Sequence, residues 1–253
     1  MNAKCIFCLS ETAEFTTDEH ILPESLGGKQ LLSSGLVCNK CQNYFGIKVE
    51  KPALTEHPFN IVRLHLAVPN KRKRPIAIPL EGFGIIQSVE MSPGSVLSVD
   101  LNTGELVLKP APKSLKVGDQ IKFDFNYRVK EKRLICRALL KMGLETLAQN
   151  DRAEVFNSRY EPARRFARCP KKTDLWSYLE YVDWSVLTKL LGRRHPRRDI
   201  SDQVSLTTFE SESGSIVFYL KLVFVEMYVP LEFSAEFWKE KRFCQKRFVL
   251  RKS

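Results

Sequence analysis

Features that would place a protein in a membrane or outside the cell are missing from this sequence of 253 residues. It has no run of about 18 consecutive apolar residues, so we expect no membrane-spanning helix and no membrane partner. The N-terminus, MNAKCIFCLSETAEF, lacks the charged start, apolar stretch and small-residue cleavage site of a secretory signal. We therefore expect a cytoplasmic protein. Repeats of fixed period and low-complexity segments are also absent, which argues against a repeat architecture.

Arginine is absent from the first 60 residues, which contain five lysines and seven acidic residues for a net charge of −2. The whole chain has 40 Lys and Arg against 29 Asp and Glu, so residues 61–253 carry 35 basic and 22 acidic residues, a net of +13. A basic excess attracts polyanions, because binding to nucleic acid releases condensed counterions. The charge predicts that any contact with nucleic acid relies mainly on the region after residue 60. A basic protein with no such partner would have the same composition, so charge alone leaves both readings open.

Cysteine is sparse outside two close pairs: four of the seven cysteines form the motifs Cys5-x2-Cys8 and Cys38-x2-Cys41. The odd total and the expected reducing compartment argue against a disulfide framework. Two C-x2-C turns can supply four thiolates to one tetrahedral Zn²⁺, which would close the shell of a structural site. We favour structural zinc over an iron–sulfur cluster, and over a redox pair, which the duplicated motif disfavours. Cys136 is predicted to be a small core residue.

The segment between the two pairs carries an acid next to a histidine, in the run DEHILPESLGG at residues 18–28. An acid beside a histidine offers an oxygen ligand for a metal and a proton acceptor in one place. The proline and the glycines favour an irregular loop, and Gly27 and Gly28 fit either a turn or the close approach of a phosphate. The chain then returns to the second cysteine pair at the expected start of a helix. The predicted order is strand, loop, strand, helix.

This order resembles the HNH endonuclease family. The matching features over residues 5–60 are C-x2-C, acid-His-x-x-Pro-x-x-x-Gly-Gly, and a second C-x2-C followed by an amide and a helix. The nearest variety is the stand-alone bacterial HNH proteins whose helix contains FG and VE, here at 45–46 and 49–50. The resemblance implies an α+β fold. A zinc-bound, treble-clef-like ββα-metal module would occupy residues 1–60, and a basic α+β accessory region that binds nucleic acid would occupy residues 61–253.

The resemblance also implies roles for individual residues. His20 would be the general base, and Glu19 would be a ligand of a catalytic divalent cation, usually Mg²⁺ in this family. Gln42 stands where the family has its last His or Asn, so its carbonyl oxygen would be a further metal ligand, and the adjacent Asn43 could substitute for it. The family's middle Asn has no counterpart, and serines occupy that neighbourhood at residues 33–34.

These roles predict an HNH-type endonuclease, a hydrolase that cleaves phosphodiester bonds in nucleic acid, with DNA as the substrate. Two of the three name-giving motif positions depart from the family pattern. This favours an alternative, a zinc-containing protein that binds nucleic acid and has lost catalysis. A zinc-dependent module for protein–protein contact is a third reading.

Outside the cysteine-flanked module, hydrophobic periodicity predicts a mixture of helices and strands. Residues 131–149 are predicted to form a helix, because their apolar residues recur at nearly 3.6-residue spacing. Residues 175–191 fit either a strand or a helix, and the runs at 69–75 and 192–198 fit basic loops. Strands are predicted at 60–68, within 76–127 (with a hairpin around Thr103-Gly104 and a strand at 121–127), and at 216–225.

Overall fold

A computed structural model of the chain describes residues 3–66, 77–80, 84–87, 97–99, 106–108, 131–183, 204–233, 237 and 249–252. These residues form helices and mostly antiparallel strands, which confirms the predicted α+β class. The helices are α1 (Asn39–Phe45), α2 (Lys51–Ala53), α3 (Phe59–Leu66), α4 (Lys132–Asn150) and α5 (Glu161–Arg168). The strands are β1 (Ala77–Leu80), β2 (Gly84–Gln87), β3 (Leu97–Val99), β4 (Leu106–Leu108), β5 (Ser177–Val182), β6 (Val204–Glu210), β7 (Ile216–Leu222), β8 (Val225–Pro230) and β9 (Val249–Lys252). None of the described helices is long and apolar enough to cross a membrane.

The N-terminal segment is built from loops around one short helix. His20 and Leu31 pair across an isolated antiparallel bridge, and a 3₁₀ turn at Glu24–Leu26 lies in the loop between them. In the described residues, the two strands predicted for this segment are reduced to that bridge. The predicted helix is confirmed, since α1 begins directly after Cys38 and continues through a π-helical turn at Gly46–Glu50 into α2.

The strand predicted at 60–68 is wrong, because residues 59–66 form helix α3. Phe59, Ile61 and Val62 are buried. Phe59 and Val62 recur at the three-residue interval of a helix face, which the alternation of leucines further along the segment obscured. The side-chain amide of Asn60 donates a hydrogen bond of 3.0 Å to the carbonyl of Thr55, which ties the first turn of α3 to the preceding chain.

Helix α4 confirms the helix predicted at 131–149, and it packs closely on the larger sheet. Ile135, Leu139 and Cys136 are fully buried, as predicted for the cysteine. Gly143 permits the close packing, because a Cβ there would lie 2.6 Å from Leu231 Cδ2 and 2.8 Å from Phe218 Cβ. A larger residue at this position would push the helix away from the sheet.

The larger sheet has five antiparallel strands in the order β6-β7-β8-β5-β9. The single long strand predicted at 216–225 is wrong, because the chain turns at Val223 and Phe224, and Leu222 pairs with Val225. Val223 has a φ of 50°, which is unusual for a β-branched residue. No Gly, Asn or Asp marks the turn, so the apolar run reads as one strand. Strand β5 settles the open choice for residues 177–182 of the segment 175–191.

The smaller sheet has the order β1-β2-β3-β4, and its four strands lie in the region predicted to be β structure. Leu97 pairs with Leu108 and Val99 with Leu106, as expected for strands flanking the predicted hairpin. The hairpin turn at 103–104, the predicted strand at 121–127 and the two basic runs at 69–75 and 192–198 lie outside the described residues.

One continuous hydrophobic core joins the N-terminal segment to α4, α5 and the larger sheet. Phe7 and Phe45 of the N-terminal segment, with ring centroids 4.4 Å apart, share this core with Leu139 of α4 and Phe166 of α5. Elements distant in sequence therefore hold the loops of the N-terminal segment in place. The division of the chain at residue 60 stays a prediction.

Candidate active site and metal centre

The four paired cysteines meet in one cluster. Cys5 and Cys8 lie on a turn that closes with a 2.8 Å hydrogen bond from the amide of Leu9 to the carbonyl of Cys5. Cys38 precedes α1 and Cys41 lies in its first turn. All four sulfur atoms lie within 4.8 Å of one another, and Sγ of Cys8 is 3.7 Å from Sγ of Cys38. Zinc–sulfur bonds of about 2.3 Å in a tetrahedron separate the sulfurs by about 3.8 Å. The donor set and its spacing fit one zinc ion.

The close approach of the cysteines shifts the pKa values of their thiols. The Cys41 thiol donates to the sulfur of Cys5, which lowers the pKa of Cys5 to about 4 and raises the pKa of Cys41. Burial raises the pKa of Cys38. Without a cation the close sulfurs resist joint ionisation, because each thiolate repels the next. A dication removes that repulsion, so metal binding would release protons.

His20 sits at the start of the irregular loop, with its imidazole 30% exposed and Nε2 3.7 Å from Oε1 of Glu24. The glycine pair serves the fold of this loop. Gly27 has a φ of 82°, and a Cβ on Gly28 would lie 1.9 Å from the carbonyl oxygen of Leu22. Of the two readings of these glycines, the turn and backbone packing account for both positions.

Glu19, the predicted metal ligand, is buried and ion-paired. Its Oε1 accepts a hydrogen bond from Nζ of Lys141, a fully buried lysine of α4. The same ammonium lies 2.7 Å from Oε1 of Glu50 and 2.9 Å from Oε2 of Glu145, and it donates to the carbonyl of His20 at 3.2 Å. Burial alone would lower the pKa of Lys141, but the carboxylates of Glu145, Glu50 and Glu19 outweigh it and raise that pKa. The lysine is therefore charged and provides a fixed cation beside the His20 loop.

Gln42, the predicted second metal ligand, lies against the His20 loop. Its side-chain nitrogen Nε2 donates to the main-chain carbonyl of Asp18, two residues before His20. Asn43 is exposed and, one position further along α1, points about 100° away from Gln42. The structure thus places Gln42 against the chain that leads into Glu19 and His20, whereas Asn43 is exposed.

A search against family models gives an independent result for this segment. Residues 5–58 match the family model described as HNH endonuclease. This segment belongs to the HNH endonuclease family. The resemblance found in the motif order is confirmed, and we refer to residues 5–58 as the HNH module. A search of curated proteins and a search of solved structures each returned no match.

A row of polar residues on α4 faces the HNH module and the end of α5. We call it the polar stripe, and its members recur every four residues at Arg133, Arg137, Lys141, Glu145 and Gln149. Residues spaced by four lie on one face of a helix. Helix α4 was predicted from its apolar residues alone, which left this second periodicity unnoticed. The interval of four was the signal that could have found it.

Members on either side of Lys141 in the polar stripe hold neighbouring chain segments. Arg137 donates to the carbonyls of Ala167 and Arg168 at 2.9 Å and to the hydroxyl of Tyr44 on α1 at 2.8 Å. On the other side of Lys141, Oε1 of Gln149 accepts from the amide of Ser33 at 2.9 Å and from its hydroxyl at 3.0 Å. Ser33, one of the serines near the missing middle Asn, is therefore engaged with α4.

Proposed function

We propose that the protein is a metal-dependent HNH endonuclease that hydrolyses phosphodiester bonds in nucleic acid, with DNA as the substrate. The observation that carries the proposal is the family match over residues 5–58, within which Gln42 is hydrogen-bonded to the chain just before Glu19 and His20. The four-cysteine cluster supports it, because a zinc ion there would hold α1 and the N-terminal turn in fixed positions. In this proposal the zinc is structural and the module has the ββα-metal arrangement of the family.

His20 acts as the general base in the proposed reaction. The carboxylate of Glu24 lies 3.7 Å from Nε2. A neutral imidazole has one ring nitrogen with a lone pair, which accepts a proton from the water that attacks the phosphate. The partly exposed imidazole is accessible to both the water and the substrate.

Oxygen atoms of Glu19 and Gln42 fit a hard divalent cation such as Mg²⁺. Glu19 uses Oε1 for Lys141, which leaves Oε2 as its donor to a cation. Gln42 uses Nε2 for Asp18, which leaves the carbonyl oxygen Oε1. A bound cation would stabilise the negative charge that builds on the phosphate and the leaving oxygen.

Cleavage of supercoiled plasmid tests this proposal. Protein freed of loosely bound metal should nick the plasmid when Mg²⁺ or Mn²⁺ is added, and EDTA should stop the reaction. Absence of nicking with Mg²⁺, Mn²⁺ and Ni²⁺, on supercoiled, linear and single-stranded DNA, would contradict the proposal.

Substitution of Gln42 measures its role in the site. Gln42→Ala should lower the cleavage rate by roughly tenfold, because it removes an oxygen donor and the hydrogen bond to Asp18. Gln42→His restores the side chain that the family usually has here and should raise the rate. Both rates are measured across a range of Mg²⁺ concentrations. Asn43→Ala is the matched control on the same helix and should leave the rate unchanged if Asn43 does not substitute for Gln42.

A protein that binds nucleic acid without cleaving it is the second candidate function. The ion pair of buried Glu19 with Lys141 favours this second function, because the ion pair engages the carboxylate that a catalytic cation would need. Both candidates predict affinity for nucleic acid, and they differ in the response to divalent cations. Tight binding of DNA without nicking under any metal would establish the second candidate.

A cationic surface after the HNH module fits the nucleic-acid backbone in either case. It is formed by Arg165, Arg168, Lys171 and Lys172, at and beyond the end of α5. Arg165 and both lysines are exposed. Arg133 donates hydrogen bonds to the main-chain carbonyls of residues 171–172, and Arg137 donates to those of residues 167–168. Held in this way, the segment presents its cationic side chains to solvent. Exposed cationic groups of this kind attract the phosphate backbone of a nucleic acid.

Removal of two of these charges should weaken DNA binding. The double substitution Lys171→Gln and Lys172→Gln in the full chain should lower affinity for all sequences alike. It should also reduce the slope of log affinity against log salt by about one for each phosphate that the protein no longer neutralises. The control is Lys51→Gln with Lys221→Gln, which removes the same charge at exposed positions on α2 and β7. Equal effects of the two double variants would show that only net charge matters.

A further inference from the structure

We propose that Lys141 is a positioning residue that holds the His20 loop in the arrangement needed for phosphodiester hydrolysis. The inference rests on the proposed nuclease function for its catalytic consequence. Lys141 lies far outside the HNH module in sequence, in helix α4. The family match ends at residue 58, so the motif gives no reason to expect a lysine at the site from this part of the chain.

The contacts of Lys141 converge on the two residues that the motif singles out. Its ammonium donates to Oε1 of Glu19 and to the carbonyl of His20 at 3.2 Å. One cationic group thus fixes both the carboxylate and the main chain at this point of the loop. Hydrogen bonds to ligating carboxylates commonly set their orientation, and their loss reduces activity or metal affinity.

The rest of the cluster keeps the ammonium where the loop needs it. Glu50 lies 2.7 Å and Glu145 2.9 Å from Nζ, and the lysine side chain has no exposed surface. Moving the ammonium away from the three surrounding carboxyl groups would cost free energy, because opposite charges attract strongly in the low-dielectric interior of a protein. Glu145 comes from α4 itself and Glu50 from the π-helical turn after α1. The ammonium of Lys141 therefore connects α4, the π-helical turn after α1 and the His20 loop.

This arrangement makes α4, which lies outside the HNH module, part of the catalytic unit. The loop at residues 18–28 has little regular secondary structure. Among the described residues, its β pairing is limited to the isolated bridge between His20 and Leu31. Leu32 donates to the carbonyl of Glu19 at 2.8 Å and Ile21 to the carbonyl of Gln30 at 3.2 Å. These bonds set the local shape of the loop, Gln42 ties the loop to α1, and Lys141 ties it to α4.

Lys141→Met tests the proposal, because methionine keeps much of the side-chain length and removes the charge. We expect kcat for plasmid cleavage to fall by about 10–100-fold, with KM for DNA unchanged. Glu145→Gln is the matched control, since it alters the same buried cluster without touching Glu19 or His20. It should lower kcat less than Lys141→Met does, because Lys141 keeps its bonds to Glu19 and His20. Lys141→Arg keeps the charge and should retain more activity than Lys141→Met.

Hydrogen exchange gives a readout that does not depend on activity. Peptides covering residues 19–32 should exchange faster in Lys141→Met than in the wild type, with a smaller change in Glu145→Gln. If Lys141→Met does not fold, the double variant Lys141→Met with Glu145→Gln is used, because it leaves fewer buried acidic groups without a cation. Comparison of the double variant with Glu145→Gln alone then gives the effect of removing the ammonium.

The outcomes separate this inference from the proposed function. Unchanged exchange over 19–32 in Lys141→Met overturns the positioning role, whatever the activity. Faster exchange together with unchanged kcat also overturns it, because the loop would then move without consequence. A wild-type protein that cleaves no DNA refutes the nuclease, and with it the catalytic role of Lys141, while the exchange data still decide whether the lysine holds the loop. Faster exchange with a lower kcat and an unchanged KM supports the inference in full.

Discussion

The Cys41→Ser variant is expected to lose its zinc and to leave the HNH module unfolded. Cys41 is fully buried in the first turn of α1, and its sulfur lies within 4.8 Å of those of Cys5, Cys8 and Cys38. Structural zinc in small modules contributes about 10–16 kcal/mol of apparent binding free energy, which is also folding free energy. That is as large as the roughly 5–15 kcal/mol by which whole domains are stable. Loss of one ligand should therefore disorder the segment around the cluster.

Elemental analysis of protein purified without added metal measures this effect. The wild type should contain close to one zinc per chain, and Cys41→Ser much less, with a lower unfolding temperature. Cys169→Ser is the matched control, because Cys169 is an exposed cysteine outside the cluster. Its zinc content should equal that of the wild type. Wild-type protein with four free thiols, almost no zinc and a folded module would refute the structural zinc.

The parts of the site that are local in sequence could be predicted from the sequence. Spacing of two residues within each cysteine pair places two sulfurs on one turn, and the pairs then meet because each would bind the same ion. The acid and histidine at 19–20 are adjacent in the sequence, so their proximity could be predicted without knowledge of the fold. Helix α4 was predictable because its apolar periodicity continues over its full length.

The rest depended on contacts between distant segments. Glu19 is bound by Lys141, and no local pattern around residue 19 indicates a partner on a helix more than a hundred residues away. The turn at Val223 was missed because it lacks the residues that favour a positive φ. Helix α3 was read as a strand because only packing against the core distinguishes the two periodicities in so short a segment.

The His20→Ala variant should lose most of the cleavage activity and keep its fold. Removing a positioned general base typically costs about 10²–10⁴-fold in rate. The imidazole is partly exposed at the edge of the core, so its loss creates no large cavity. It also lies outside the four-cysteine cluster, so zinc content and DNA affinity should match those of the wild type. His57→Ala is the control, since it removes another histidine of the HNH module, one hydrogen-bonded to Asn60 at 2.6 Å.

The rate of Mg²⁺-dependent plasmid cleavage by wild type and His20→Ala, prepared in parallel, tests most directly that the HNH module is the nuclease. We predict cleavage by the wild type and by His57→Ala, and a rate about 10²–10⁴-fold lower for His20→Ala at equal zinc content. Cleavage by His20→Ala at the wild-type rate would contradict this role of the module, because the activity would then arise outside this site or from another protein.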